Sequence, residues 1–122
     1  MSRTNFENLR VYQQAEELAD LIWRVVHTWE PFARHTVGRQ IVRAADSIPA
    51  NLAEGTGRGT VKDKKHFVRI ARGSLYETKN WLRRAYRRGV LTEKQIKELR
   101  PLTDALAPML NAYLRSIGTA SE

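Results

Sequence analysis

The chain contains no cysteine. That absence removes disulfides, thiolate metal sites and a cysteine nucleophile together, and it suits a reducing compartment. Long apolar runs are missing as well: no segment approaches the ~18 residues that a membrane-spanning helix needs. Residues 1–10 hold no apolar stretch of the kind that opens an export signal. A cytoplasmic, bacterial-type protein with no membrane partner is the expectation. Acid is scarce, with 13 Asp and Glu against 21 Lys and Arg, for a net charge of +8. No segment alternates apolar and polar residues over the length of a strand, so sheet is not expected either.

What remains is helical periodicity along nearly the whole chain. At 122 residues it is one domain, 1–122, large enough for a core but too small for a catalytic domain with a separate cofactor domain. A first helix is expected over Phe6 to Trp29, with Val11, Ala15, Leu18, Ile22, Val25, Val26 and Trp29 on one face, closed by Pro31. A second, from His35 to the glycines after Glu54, buries Val37, Ile41, Ala44, Ala45, Ile48 and Leu52. Thr60 with Asp63 reads as a capping box for a third helix, which Gly89 ends. On its wheel Phe67, Ile70, Ala71, Ser74, Thr78, Trp81, Leu82 and Ala85 form the apolar face.

Thr92 with Gln95 repeats the capping pattern before a fourth helix. Its seam is Ile96, Leu99, Thr103, Leu106, Leu110, Tyr113 and Ile117, and Pro101 and Pro108 are expected to bend it toward one side. Short connections between four such helices imply an all-α fold, an antiparallel up-down-up-down four-helix bundle.

The segment SIPANLAEGTGRGT, Ser47 to Thr60, is glycine-rich but is no phosphate loop. It follows a helix rather than a strand and lacks the Walker lysine, so the glycines are expected to stop the helix by adopting positive φ. Gln40, Ser47, Asn51 and Glu54 form a polar strip beside the second helix's apolar face, while Ser74 and Glu77 lie in and beside that of the third. Buried polar groups need partners. Asn51, Glu54, Ser74 and Glu77 are therefore expected to form a structural clamp between these helices, with Arg58 able to join. Acid catalysis by Glu54 and Glu77 is the weaker alternative, because two carboxylates alone say little.

SIPANLAEGTGR, followed after a short gap by FVRIARGSLYET, resembles the signature of the 23S ribosomal RNA intervening-sequence proteins, a bacterial family. The similarity extends from NFENLRVYQQA through RQIVRAADSI to the last helix. It implies a homopentameric ring of four-helix bundles, a role linked to nucleic acid, and no established catalytic chemistry. The accessory protein of diversity-generating retroelements, a more distant relative, is also a pentameric bundle and works with a reverse transcriptase and RNA.

The charge is concentrated. Arg58 to Arg88 holds eleven basic residues against Asp63 and Glu77, a balance of +9, which leaves −1 for the rest of the chain. On the third helix Lys62, Lys65, Arg69, Arg72, Lys79, Arg83 and Arg87 align opposite the apolar face, with Tyr76 among them. The stripe is about 38 Å long at ~1.5 Å per residue. Arginines suit the negative carboxyl end of the helix, but Lys62, Lys64 and Lys65 oppose its positive amino end, and like charges repel. An arrangement that helix stability disfavours points to a polyanion, RNA before DNA, with the cations on phosphates and Tyr76 stacking on a base.

The competing reading docks this helix against a partner protein or another subunit, whose acid would come from Glu16, Glu17 and Asp20 on the first helix. Trp23, at the border of that helix's apolar face, is the candidate subunit contact. No cofactor or metal is expected: Asp63 and His66 have carboxylate-histidine spacing only once, beside two lysines. His27, His35 and His66 read as surface residues. Neither Ser47 nor Ser74 has a base in any hydrolase motif. The expectation is a non-enzymatic, oligomeric bundle.

Overall fold

A computed structural model describes residues 6–119. The two ends of the expected domain, including Asn5 at the start of NFENLRVYQQA, lie outside the described residues. Within them the chain is all-helical: a 3-10 turn, Phe6–Asn8, then α1 (Arg10–His27), α2 (Pro31–His35), α3 (Val37–Thr56), α4 (Val61–Arg87) and α5 (Glu93–Ser116). The four long helices contact one another in the cycle α1, α3, α4, α5 and back to α1, with α2 seated on α3.

Periodicity accounts for most of the core. Every apolar residue expected inward on α1 is buried, and so are the six on α3. Burial of each large aliphatic side chain contributes about 1.5–3 kcal/mol, before the entropy of ordering the chain is subtracted. α5 runs unbroken past Pro101 and Pro108, and α3 past Pro49.

The helix ends are set by local chemistry. Thr92 and Gln95 form a full reciprocal capping box at α5. At α4 the hydroxyl of Thr60 accepts from the Asp63 amide at 3.1 Å. The Glu30 carboxylate accepts from the amides of Phe32 and Ala33, starting α2 at Pro31. Gly89, with φ of 75°, ends α4 as expected.

Four expectations change. The first helix is shorter than Phe6 to Trp29: it begins at Arg10 after the 3-10 turn and ends at His27, although Trp29 remains buried beyond it. The segment before α3 is a helix in its own right, separated from it by Thr36 with φ −111° and ψ −93°. The face of α4 is rotated from the wheel, with Val68 and Leu75 buried and Ile70 38% exposed. Contact with both α3 and α5 draws the apolar arc toward α5.

The fourth change concerns the glycines. Among the described residues positive φ occurs only at Gly89 and Gly118, and α3 continues through Gly55 to Thr56. Gly55 is buried because α4 crosses it closely: a Cβ there would lie 3.1 Å from Phe67 Cβ and 3.4 Å from the Lys64 carbonyl oxygen. Its missing side chain, rather than its backbone freedom, is what the fold uses.

Candidate nucleic-acid interface

α4 is the longest helix, and Arg72, Lys79 and Arg83 of its cationic row lie beside α5. Lys62, Arg69, Arg83 and Arg87 are exposed, while Lys65, Arg72 and Lys79 are half-buried. Tyr76 is 55% exposed in the same row. Arg72 donates from Nη1 to Asn111 Oδ1 at 3.1 Å, which ties the middle of the row to α5 without neutralising it. Lysine and arginine stems lie along apolar surface while their heads stay wet, so half-burial leaves the charge available.

Among the described residues no carboxylate pairs with the row. Among the described residues the ion pairs are Arg43 with Glu77 and Arg58 with Glu54, and neither uses any of the seven cations. Where Lys79 and Arg83 approach α5, they line a cleft of about 420 Å³ together with Tyr86, Arg100, Glu93 and Asp104. Tyr86 donates to Glu93 Oε1 at 2.9 Å. That hydrogen bond, followed by the carboxylate's charge, raises the phenol above its ordinary pKa. The amino-terminal part of the row does not line this cleft.

The four expected clamp residues fall into separate groups. Asn51 donates to the Ser47 carbonyl at 2.8 Å and to Ser47 Oγ at 3.0 Å, and Ser47 Oγ meets Ser74 Oγ at 2.9 Å. Thr78 adds a bond to the Ser74 carbonyl. Glu77 instead accepts from Arg43 and, at 3.3 Å, from the Trp81 indole. Glu54 faces solvent and pairs with Arg58 on its own helix side, while the Arg58 guanidinium lies 4.5 Å from the Phe67 ring centroid. Asn51 and Ser74 thus share one network through Ser47, whereas Glu54 and Glu77 do not share a partner.

Arg43 is the member that sequence reading missed; its signal was its place three residues after Gln40, whose side-chain oxygen it also approaches at 3.3 Å. His27, His35 and His66 are exposed, as expected. Among the described residues no three metal-ligating side chains cluster, and no helix is long and apolar enough to cross a membrane.

These features define a helical-bundle protein with one cationic helix flank. Residues 7–112 match the model of the 23S rRNA-intervening sequence protein family, and the chain belongs to that family. Its fold is similar to a crystal structure of a protein of unknown function from the S23 ribosomal protein family of Bacteroides thetaiotaomicron. The TM-score is 0.77 at 22% identity, with 87% of this chain and 99% of that one covered. No curated protein matches.

Proposed function

We propose that the chain is a cytoplasmic, non-enzymatic, oligomeric bundle that binds nucleic acid through the α4 row, with phosphates on Lys62, Lys65, Arg69, Arg72, Lys79, Arg83 and Arg87 and a base on Tyr76. The observation that carries this reading is the absence of any ion pair on the row among the described residues. Carboxylates are within reach of other arginines, yet this helix keeps its charge unspent at a cost in self-repulsion. RNA is set ahead of DNA because the family is named for 23S rRNA.

The bundle is taken as antiparallel and four-helical. Its support is the order of contacts: Arg43 with Glu77 and Ser47 with Ser74 across α3 and α4, then Arg72 with Asn111 and Tyr86 with Glu93 across α4 and α5. In each pair of helices one number rises as the other falls.

Binding of a structured RNA between 50 and 200 mM salt tests the reading. With four to seven phosphate contacts, log K should fall against log salt with a slope of about −4 to −6. A slope near zero, or no binding at the lowest salt, removes it.

A second reading docks the same row on another subunit of a pentameric ring or on a protein partner. Glu17 and Asp20 favour it, being exposed acids on α1 that pair with no cation among the described residues. Light scattering separates the two: an assembly that falls apart at high salt supports ion-paired subunits, and a monomer at every salt concentration counts against any ring.

A further inference from the structure

The α4 row lies beside the α4–α5 seam. Across the bundle, the α1–α3 seam carries a second feature that the row does not explain. A groove of about 470 Å³ opens there, between α1, α2 and the first turns of α3. Its floor is Val26, Gly38 and Val42, and its walls are Trp23, His27, Arg34, His35, Arg39 and Arg43. The volume is that of a small-ligand site. Among the described residues no carboxylate lines it.

Two properties narrow the occupant. Trp23 is 59% exposed at the edge of the groove, although a surface indole loses much by facing water. Arg34 and Arg39 make no ion pair among the described residues, whereas Arg43 is held by Glu77. Glu30, the N-cap of α2, has both carboxylate oxygens committed to capping that helix. The groove therefore offers an aromatic platform, an apolar floor and two uncompensated guanidinium groups. That set suits a ligand with a flat apolar face and an attached anion.

We propose that the α1–α2–α3 groove takes one unpaired nucleotide of a single-stranded nucleic acid, its base stacked on Trp23 and its phosphate held by Arg34 and Arg39. A base inside a duplex cannot offer its face to the indole, so the site selects single strands or flipped-out nucleotides. Gly38 sets its depth. A Cβ there would lie 2.7 Å from Val26 Cγ1, so the glycine lets α3 settle against α1 beneath the groove. The proposal shares a ligand class with the reading of α4 but uses a different surface.

The two surfaces can be tested apart on the full chain with an eight-nucleotide uridylate and a blunt RNA duplex, each followed by anisotropy. Trp23→Ala should weaken the octamer about 5- to 150-fold, the value of one base stacked on an aromatic ring, and leave the duplex within about twofold. Trp23→Phe should recover part of the loss, and Arg39→Ala should weaken the octamer without moving the emission of a folded protein. Reversing charge at Lys62 and Arg69 should do the converse, lowering duplex binding while the Trp23-dependent part of octamer binding persists.

Failure of the wild type to bind the octamer at low salt overturns the groove, whatever the duplex does. So does equal octamer binding by Trp23→Ala, or competition by polyglutamate as effective as by uridylate, which would make the groove a peptide site. A drop in assembly mass for Trp23→Ala with octamer binding unchanged would assign the groove to a subunit contact instead.

Discussion

Replacing glycine by alanine should have opposite consequences at two positions of this chain. Gly38 is the second residue of α3 and is buried; its Cβ would stand 2.7 Å from Val26 Cγ1, 3.1 Å from the Ala33 carbonyl oxygen and 3.4 Å from Trp29 Cε3. Val26 cannot turn aside, since it is buried and a β-branched residue in a helix has one favoured rotamer. The helices must then move apart, at the ~1–3 kcal/mol typical of overpacking. Alanine's better helix propensity returns less than ~1 kcal/mol in the first turn. The net loss for Gly38→Ala is about 1–2 kcal/mol, or roughly 3–12 °C in Tm for a chain of this size.

Gly73 is the control. It lies exposed in α4 with no atom within 4 Å of an added Cβ, so Gly73→Ala should gain about 0.5–1 kcal/mol. Thermal unfolding followed by helical circular dichroism, at one fixed protein concentration, measures both. A Gly38→Ala variant as stable as the wild type would refute the close approach of α1 and α3.

Two further outcomes follow from the polar groups. Asn51→Ala loses the bonds at 2.8 and 3.0 Å to Ser47 and should cost about 1–2 kcal/mol, whereas Glu54→Gln breaks an exposed i,i+4 pair and should change stability by less than ~0.5 kcal/mol. Denaturant titration of both variants checks the contrast, and a larger loss for Glu54→Gln would reverse it. Asp46 is raised above its ordinary pKa of 3.8, first by partial desolvation and then by the charge of Asp20. A carboxyl shifted upward contributes most below its unfolded pKa and loses that contribution as pH rises through the folded one. Asp46→Asn should therefore raise Tm at pH 7, with the gain shrinking as the pH falls through the raised folded pKa and gone below the ordinary value of 3.8; a variant less stable at pH 7 would contradict this.

The fold was legible wherever a helix buries one narrow face. On α1, α3 and α5 the spacing of Leu18, Ile22, Ile41, Ile48, Leu106 and Leu110 named the core residue by residue. α4 was harder because it packs against two neighbours, and a wheel does not say which edge of a broad apolar arc faces water; Ile70 and Val68 exchanged roles for that reason. EGTGRGT misled because glycine serves two purposes, and only the approach of Phe67 to Gly55 reveals which one applies. The basic row was plain in the charge pattern, since it needs no tertiary information. The α1–α2–α3 groove was not, because Arg34 and Arg39 lie on different helices and meet Trp23 only after folding.

Phosphates should meet the α4 row itself rather than a generally positive protein. The direct measurement is the salt slope for a structured RNA with Lys62→Glu, Arg69→Glu and Arg83→Glu combined, beside a control of equal net charge with Arg10→Glu, Lys97→Glu and Arg115→Glu. The first variant should lose about 3 units of slope, and the control should stay near the wild type. Equal losses in both, or an unchanged slope in the first, would contradict it.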